Sequence, residues 1–174
     1  ITNGIDALVE REMVVRGVSG LTSPRKAAEF LFDISNGRLV NLDDAFRRHL
    51  AERLTVTVRD SGEWKRPTLV VQDAGIGQHP DEFSRTLLSL NENNKVSRPE
   101  LMGAFGQGGS STFASAKYSA FVSRREPAAL SLGHRDEVGW TIGRDNPLTD
   151  DYKHGVGQYR GVPDGSGGCR IPRL

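Results

Sequence analysis

The glycines of this chain are clustered, and these clusters constrain its fold more than any other feature of the sequence. The chain has 20 glycines, and many of them fall in three groups, within residues 73–77, 103–109 and 155–168. Glycine tolerates positive φ and lets a ligand or a second backbone approach closely. The first two groups follow apolar or helical stretches, so they predict loops that hold a ligand. For the third group, ordinary turns are the better interpretation.

Length and charge set the class of protein. A chain of 174 residues fits one domain with a real core. Its 23 basic and 22 acidic residues nearly cancel, so net charge gives no argument for a nucleic acid or a membrane as partner. No stretch approaches the ~20 apolar residues of a membrane span, and no secretory signal is visible. The single cysteine, Cys169, excludes an internal disulfide. These features predict a cytoplasmic protein.

The spacing of apolar residues predicts helices first and strands later. Two helices are predicted over residues 1–12 and 110–116. Three more are predicted to begin at Ser23-Pro24, near Asp43 and at His79. Predicted strands cover residues 54–58, 68–71, 118–123 and 138–142, and residues 150–168 are expected to be irregular. This order predicts an α+β fold, a two-layer α/β sandwich whose helices lie on one face of a mixed, mostly antiparallel sheet.

The segment Asp73-Ala74-Gly75-Ile76-Gly77 directly follows a strand rich in leucine and valine. A carboxylate at a strand end can accept a hydrogen bond from a buried amino group, and the glycines let the backbone turn beside a flat ligand. A tight turn capped by Asp73 is the alternative interpretation.

Residues 103–111, with the sequence GAFGQGGSS, precede a predicted helix. Successive backbone N–H groups at a helix N-terminus bind anions, and glycine lets phosphate oxygens come close. The segment is neither a Walker A loop nor a dinucleotide-binding fingerprint. It predicts a phosphate-binding loop, with a structural glycine hinge as the alternative.

Asn3 and Asp6 lie three residues apart on the first predicted helix and therefore share a face. The carbonyl oxygen of an asparagine can ligate Mg²⁺, which prefers oxygen ligands and keeps several waters. An ordinary solvated helix face is the alternative interpretation of this pair.

The three motifs together, in this order, resemble those of the GHKL ATPases, the family of gyrase, Hsp90, histidine kinases and MutL. Residues 1–8 (ITNGIDAL) resemble the family's N-box, residues 73–77 its adenine-binding motif and residues 102–108 its second glycine motif. The resemblance covers residues 1–10 and 55–125, and Asp6 favours the Hsp90, gyrase and MutL side of the family over the sensor histidine kinases. The long helical insertion and the glycine loop suggest a prokaryotic Hsp90-like ATPase. It implies a Bergerat-type ATP-binding fold and Mg-ATP as the ligand.

The resemblance also implies roles for individual residues. Asn3 would coordinate Mg²⁺, Asp73 would accept the adenine 6-amino group, and Gly77 would contact the base through a water. Backbone N–H groups of the second glycine motif would hold the phosphates. Lys95, in the lid at residues 91–102, is either a phosphate ligand or a solvated lysine. The implied ATP-binding residues are Asn3, Asp6, Ala7, Asp73, Gly75, Ile76, Gly77, Lys95, Gly103, Phe105, Gly106, Gln107, Gly108, Gly109 and Ser110.

The sequence departs from the family pattern in three places. The general base of the family is a glutamate four residues before the N-box asparagine, a position that precedes Ile1, so we expect a piece of a longer protein without a catalytic residue of its own. Residues 11–54 are expected to form a helical insertion within a single domain, 1–174. Residues 168–171 (GCRI) lie where the family has a Gly-Thr motif, but the threonine is missing.

The predicted function is therefore Mg-ATP binding, with hydrolysis in the full-length protein driving conformational change or dimerisation. The implied partners are ATP or ADP, a second copy in a homodimer, and a downstream domain or client; nucleic acid would bind only through domains outside this chain. The alternatives are a nucleotide-sensing module without hydrolysis and a histidine-kinase catalytic domain. His49 and His79 lack metal-ligand spacing and are expected to be ordinary polar residues, and Cys169 a small packing residue.

Overall fold

The computed structural model describes residues 1–86, 98–102, 116–146 and 156–174. The chain forms two compact units: the first contains Ile1–Ile76 and Lys95–Ala104, and the second contains Gly77–Asn94 and Phe105–Leu174. Helices and antiparallel sheets are both present, which confirms the α+β class. In the described part of the chain, every helix is too short or too polar to cross a bilayer.

Three α-helices form the first half of the first unit, and their starts are where the sequence predicts them. They are α1 (Thr2–Arg16), α2 (Pro24–Phe32) and α3 (Asp44–Glu52). The side chain of Ser23 accepts the N–H of Lys26, and that of Asp43 accepts the N–H of Phe46, so each satisfies a backbone donor that the helix leaves unpaired. Helix α1 continues beyond its predicted end because the first left-handed residue is Gly17, at φ 64°.

The core of the first unit lies between α1 and α2. Val9 and Met13 of α1 pack with Ala27 and Leu31 of α2 and with Leu101. Ile5, which the periodicity places on the apolar side of α1, is 37% exposed. Leu8 and Val9, predicted on the same side, are buried, so the prediction is wrong for Ile5 alone; the polar Asp6 is buried with them.

Two strands, β1 (Leu54–Arg59) and β2 (Thr68–Asp73), form an antiparallel hairpin at the predicted positions. In its register Leu54 lies opposite Asp73, and Arg59 lies opposite Thr68 at the other end. Antiparallel pairing therefore places Asp73 at the end of the sheet where β1 begins and β2 finishes.

The second unit carries the remaining strands. They are β3 (Ser119–Arg124), β4 (Val138–Asn146), β5 (Val156–Tyr159), β6 (Val162–Pro163) and β7 (Cys169–Arg170). Strands β3, β4 and β5 form one antiparallel sheet in that order, and β6 pairs with β7 in another. The predictions of β3 and β4 are confirmed.

Two predictions for the second unit differ from the structure. Residues 150–168 are not wholly irregular, because β5 and β6 lie there; strands of two to four residues are too short to show an alternating pattern. The segment that begins at His79 forms a 3₁₀ helix, Pro80–Arg85. Its predicted continuation through residues 87–90 lies outside the described residues, as do residues 110–115 of the helix predicted at 110–116.

Candidate functional site

Asp73 lies against the first turn of α1. A Cβ atom added to Gly4 would be 3.4 Å from the Cβ of Asp73, 3.5 Å from its Oδ2 and 2.7 Å from the Cδ1 of Leu54. The helix therefore meets the end of the hairpin at close range, and a side chain at position 4 would have to displace the end of the Leu54 side chain. The Asp73 side chain remains exposed at this junction.

The loop after β2 is fixed to the same helix. A Cβ atom added to Gly75 would be 2.4 Å from the Cβ of Ala7 and 2.7 Å from its carbonyl carbon. The next residue, Ile76, is buried and donates its N–H to the carbonyl oxygen of Ala7 at 2.8 Å. Close packing and a backbone hydrogen bond thus join two segments that are far apart in sequence.

A turn closes this loop at Asp73. The Oδ1 atom of Asp73 accepts the N–H of Gly75 at 3.0 Å. The turn that the sequence offered as the alternative interpretation is therefore present. It uses Oδ1, so a ligand that binds Oδ2 is compatible with it.

Asn3 and Asp6 differ in their surroundings, although both lie on α1. Asn3 is exposed, whereas Asp6 is 1% exposed and its Oδ1 accepts the N–H of Met102 at 2.8 Å. The interpretation of a shared solvated face is wrong for Asp6. This residue instead anchors the described end of the predicted lid to α1.

An ion-pair network supports the same region. Arg98 lies 3.1 Å from the Oε1 of Glu10 and 3.0 Å from the Oε1 of Glu100. The segment 98–102 is therefore joined to α1 by charged contacts as well as by the hydrogen bond to Asp6. Residues 91–97 of the predicted lid, including Lys95, lie outside the described residues.

Glu12, further along α1, is held by three arginines, of which Arg11 is the most distant at 3.5 Å. Its Oε1 lies 2.7 Å from Arg53 and its Oε2 lies 3.1 Å from Arg16. Burial alone would raise the pKa of Glu12, but the hydrogen bond and charge of Arg53, together with the charge of Arg16, outweigh it and lower the pKa below its usual range. Glu12 is thus a structural anion that holds these arginines beside α1.

Gly77 lies in the second unit, and both its backbone conformation and a close contact require glycine at this position. Its φ is +59°, and an added Cβ would overlap the carbonyl oxygen of Arg124. Its own carbonyl oxygen accepts Nη1 of Arg125 at 2.9 Å. The second glycine of the motif therefore allows the chain to pass along the end of β3, and its predicted contact with a base stays a prediction.

The structure brings together four of the predicted ATP-binding residues: Ala7, Asp73, Gly75 and Ile76, with Asn3 and Asp6 on the same helix as Ala7. The predicted phosphate ligands lie outside the described residues. These are Gly106, Gln107, Gly108, Gly109 and Ser110, and two further predicted ATP-binding residues, Gly103 and Phe105, lie there too.

One polar cluster was missed by sequence reasoning. His79 was predicted to be an ordinary polar residue, but it is 1% exposed, and its ring stacks on that of His134 with centroids 3.9 Å apart. Ligand atoms of His79, Asp81 and His134 all lie within 4.8 Å of one another. The only sequence signal was the spacing of His79 and Asp81, because His134 is brought in by the chain fold. His49, in contrast, is exposed as expected.

Comparisons with protein-family models, with curated proteins and with solved structures gave no match to this chain.

Proposed function

We propose that this chain is the nucleotide-binding domain of a GHKL-type ATPase and that it binds Mg-ATP at the junction of α1 and the end of β2. The observation that carries the proposal is the close packing of Ala7 on Gly75 beside the exposed carboxylate of Asp73. The N-box-like helix and the adenine-motif-like loop, which resemble two separate motifs of that family, are neighbours here.

The adenine site is built on Asp73. Its Oδ1 is engaged by the N–H of Gly75, which orients the carboxylate and presents Oδ2 as an acceptor for the 6-amino group. An acceptor at this place selects adenine over guanine, which carries a carbonyl oxygen at the same ring position. Hydrogen bonds to a charged acceptor contribute about 1.5–3 kcal/mol, enough to set the base preference.

The magnesium site needs few protein ligands. Mg²⁺ usually keeps several waters and binds one or two protein oxygens together with substrate phosphates. An exposed amide oxygen on the first turn of α1, that of Asn3, fits this requirement. Asp6 does not, because it is buried and bonded to Met102, so its role is to hold the lid segment. The phosphates are assigned to Lys95, to the glycine loop at residues 103–109 and to Ser110.

The wider proposal is a nucleotide-driven switch. The helices and antiparallel sheets are assigned to a Bergerat-type two-layer sandwich, and hydrolysis in the full-length protein drives conformational change or dimerisation. Glu10 and Glu12 are paired with arginines. Neither is assigned as the general base.

Asp73→Asn tests the adenine site. The amide oxygen of the variant can still accept the N–H of Gly75, so the turn and the fold are expected to persist. Its NH₂ group then replaces Oδ2 and faces the 6-amino group, donor against donor. We expect ATP affinity, measured by calorimetry with Mg²⁺, to fall at least about tenfold.

Asp60→Asn is the matched control for Asp73→Asn. Asp60 is also exposed and also accepts the N–H of the residue two positions on, Gly62, but at the other end of the same hairpin. Its substitution should leave ATP affinity unchanged. Equal affinity of a folded Asp73→Asn variant and the wild type would refute the adenine assignment.

Asn3→Ala tests the metal site separately. We expect the variant to keep its affinity for ATP in EDTA and to lose most of the severalfold gain that Mg²⁺ gives the wild type, because the metal loses its protein ligand. Asn41→Ala, which removes an exposed amide bonded to the Ser35 carbonyl in the helical insertion, is the control. If Asn3→Ala and the wild type gain equally from Mg²⁺, Asn3 does not bind the metal.

A further inference from the structure

We propose that the second unit contains a transition-metal site of the Zn²⁺ type, formed by His79, Asp81 and His134, separate from the magnesium that accompanies ATP. Two imidazoles and one carboxylate form a nitrogen-rich donor set that suits Zn²⁺ and similar ions, whereas Mg²⁺ and Ca²⁺ prefer oxygen ligands alone. Neither nucleotide binding nor the GHKL resemblance requires such a site.

The spacing of the donor atoms agrees with a common ion. Nδ1 of His79 lies 3.5 Å from Oδ2 of Asp81. Two ligands about 2.1 Å from a tetrahedral ion lie about 3.4 Å apart, so this pair needs little movement. Nδ1 of His79 accepts a long hydrogen bond, 3.3 Å, from the N–H of Asp81, and the ion would replace that donor.

The buried His79 ring supplies an independent indication of a ligand. Its side chain is 2% exposed, and within the described residues its Nε2 atom has no hydrogen-bond partner. Leaving such a buried group unpaired destabilises the folded chain. Oε2 of Glu137 lies 3.8 Å from this Nε2, just beyond hydrogen-bond distance.

Metal binding would keep the tautomer of His79 that the N–H of Asp81 already favours by donating to Nδ1. With Nδ1 on the ion, Nε2 carries the proton and points toward the carboxylate of Glu137. Histidines that bind metals usually donate their other N–H to a carboxylate or a carbonyl in this way. A shift of a few tenths of an ångström would bring Nε2 and Glu137 into a hydrogen bond.

The carboxylate of Asp81 is divided between two partners. Its Oδ1 pairs with Nη2 of Arg173, and its Oδ2 faces His79. Arg173 also binds Oε2 of Glu137 through Nη1 at 3.0 Å. The arginine therefore holds both carboxylates beside His79, and the ligand oxygen Oδ2 is the one that Arg173 does not use.

His134 has to move for the site to form. The rings of His79 and His134 are nearly parallel, at 8°, so their lone pairs do not meet at one point. His134 is half-buried in the connection between β3 and β4 and borders a cavity of about 290 Å³. Rotation of this ring within the cavity brings its lone pair to the ion, while the 3₁₀ helix holds His79 and Asp81.

Zn²⁺ binding to the full chain tests the proposal. Zinc affinity is measured without nucleotide by competition with a chromophoric chelator, for the wild type, His134→Ala and His49→Ala. His134 is only half-buried, so its substitution should leave the fold intact, which circular dichroism checks; His49 is an exposed histidine on α3 and serves as the matched control. We expect one equivalent of Zn²⁺ on the wild type and on His49→Ala, and at least about tenfold weaker binding by His134→Ala.

The zinc affinities of the three proteins decide whether the site exists. A fall of about tenfold or more in His134→Ala alone supports the site. A smaller fall, an equal fall in His49→Ala, or no saturable binding by the wild type overturns it and leaves the cluster as an ion-pair network around Arg173.

Discussion

Replacing Gly75 with alanine is expected to destabilise the folded chain by about 3 kcal/mol, at the upper end of the usual cost of overpacking. The new methyl group would lie 2.4 Å from the Cβ of Ala7 and 2.7 Å from its carbonyl carbon. Backbone atoms of a helix cannot move aside as a flexible side chain can, so the loop after β2 must shift away from α1. The hydrogen bond from Ile76 to Ala7 would be lost with it.

A double-mutant cycle identifies the cause. Ala7→Gly removes the Cβ of Ala7, which is the atom nearest to the added methyl group. This substitution alone costs about 1 kcal/mol in helix propensity. In the double variant, Ala7→Gly with Gly75→Ala, we expect about 1 kcal/mol or more of the added loss to be recovered, because residues in contact do not behave additively. Urea unfolding followed by circular dichroism gives all four free energies of unfolding.

Gly20→Ala is the control for losing a glycine without a collision. Gly20 has φ +77°, and no atom of the described residues lies within 4 Å of an added Cβ, so its substitution should cost only the ~1–2 kcal/mol of a left-handed backbone conformation. Two results would contradict the close contact between Ala7 and Gly75. One is a loss of stability in Gly75→Ala no larger than that in Gly20→Ala, and the other is additivity of the two substitutions in the double-mutant cycle.

The glycine motif at residues 73–77 therefore meets structural needs of the fold as well as the needs of the proposed adenine site. The sequence could not separate these two reasons for the motif. Asp73 closes a turn and Gly75 allows contact with α1, both of which are structural needs that the folded chain has without nucleotide. A loss of ATP binding in Gly75→Ala would not by itself identify a ligand contact. Asp73→Asn is informative because it preserves the turn while changing the chemistry of the exposed oxygen.

The parts of the fold that could be predicted from sequence depend on local interactions. Ser23 and Asp43 cap the helices that they precede, the alternating valines of residues 54–58 predict β1, and the apolar run at residues 69–71 predicts β2. Capping and alternation can be predicted from the sequence because the residues involved lie within a few positions of one another.

The parts that could not be predicted depend on distant partners. Asp6 is buried because the N–H of Met102, 96 residues away, reaches its carboxylate. His79 is buried and stacks on His134, and no periodicity within either segment predicts that contact. A lone polar residue on a helix or in a turn is more often solvated, so sequence reasoning favours exposure until the tertiary contact is known.

Replacing Glu12 with glutamine is expected to cost about 3 kcal/mol at neutral pH. Removing one partner of a buried ion pair leaves the other charge uncompensated, at a typical cost of about 3–5 kcal/mol. The side chain of Glu12 is 10% exposed and that of Arg53 is 16% exposed, so solvent screens this pair little. We take the lower end because the glutamine oxygen can still accept one hydrogen bond and Arg16 is 46% exposed.

The loss should depend on pH with a definite sign. The arginines keep the pKa of Glu12 in the folded chain below its usual value of 4.5, which is the value expected for the unfolded chain. The contribution of Glu12 to stability is therefore fully present above pH 4.5 and is lost as the pH falls through the folded pKa. The difference in unfolding free energy between wild type and variant should stay constant from pH 7 to about pH 5 and shrink below that.

Glu63→Gln provides the comparison, because Glu63 pairs with Arg66 at 3.4 Å but is 52% exposed. Exposed pairs of this kind contribute about 0–1 kcal/mol, so little change is expected at any pH. Urea unfolding of the three proteins between pH 3.5 and 7 measures both effects. A Glu12→Gln variant within about 0.5 kcal/mol of the wild type, or a difference that grows as the pH falls, would mean that Glu12 does not anchor α1 to the start of β1 through Arg53.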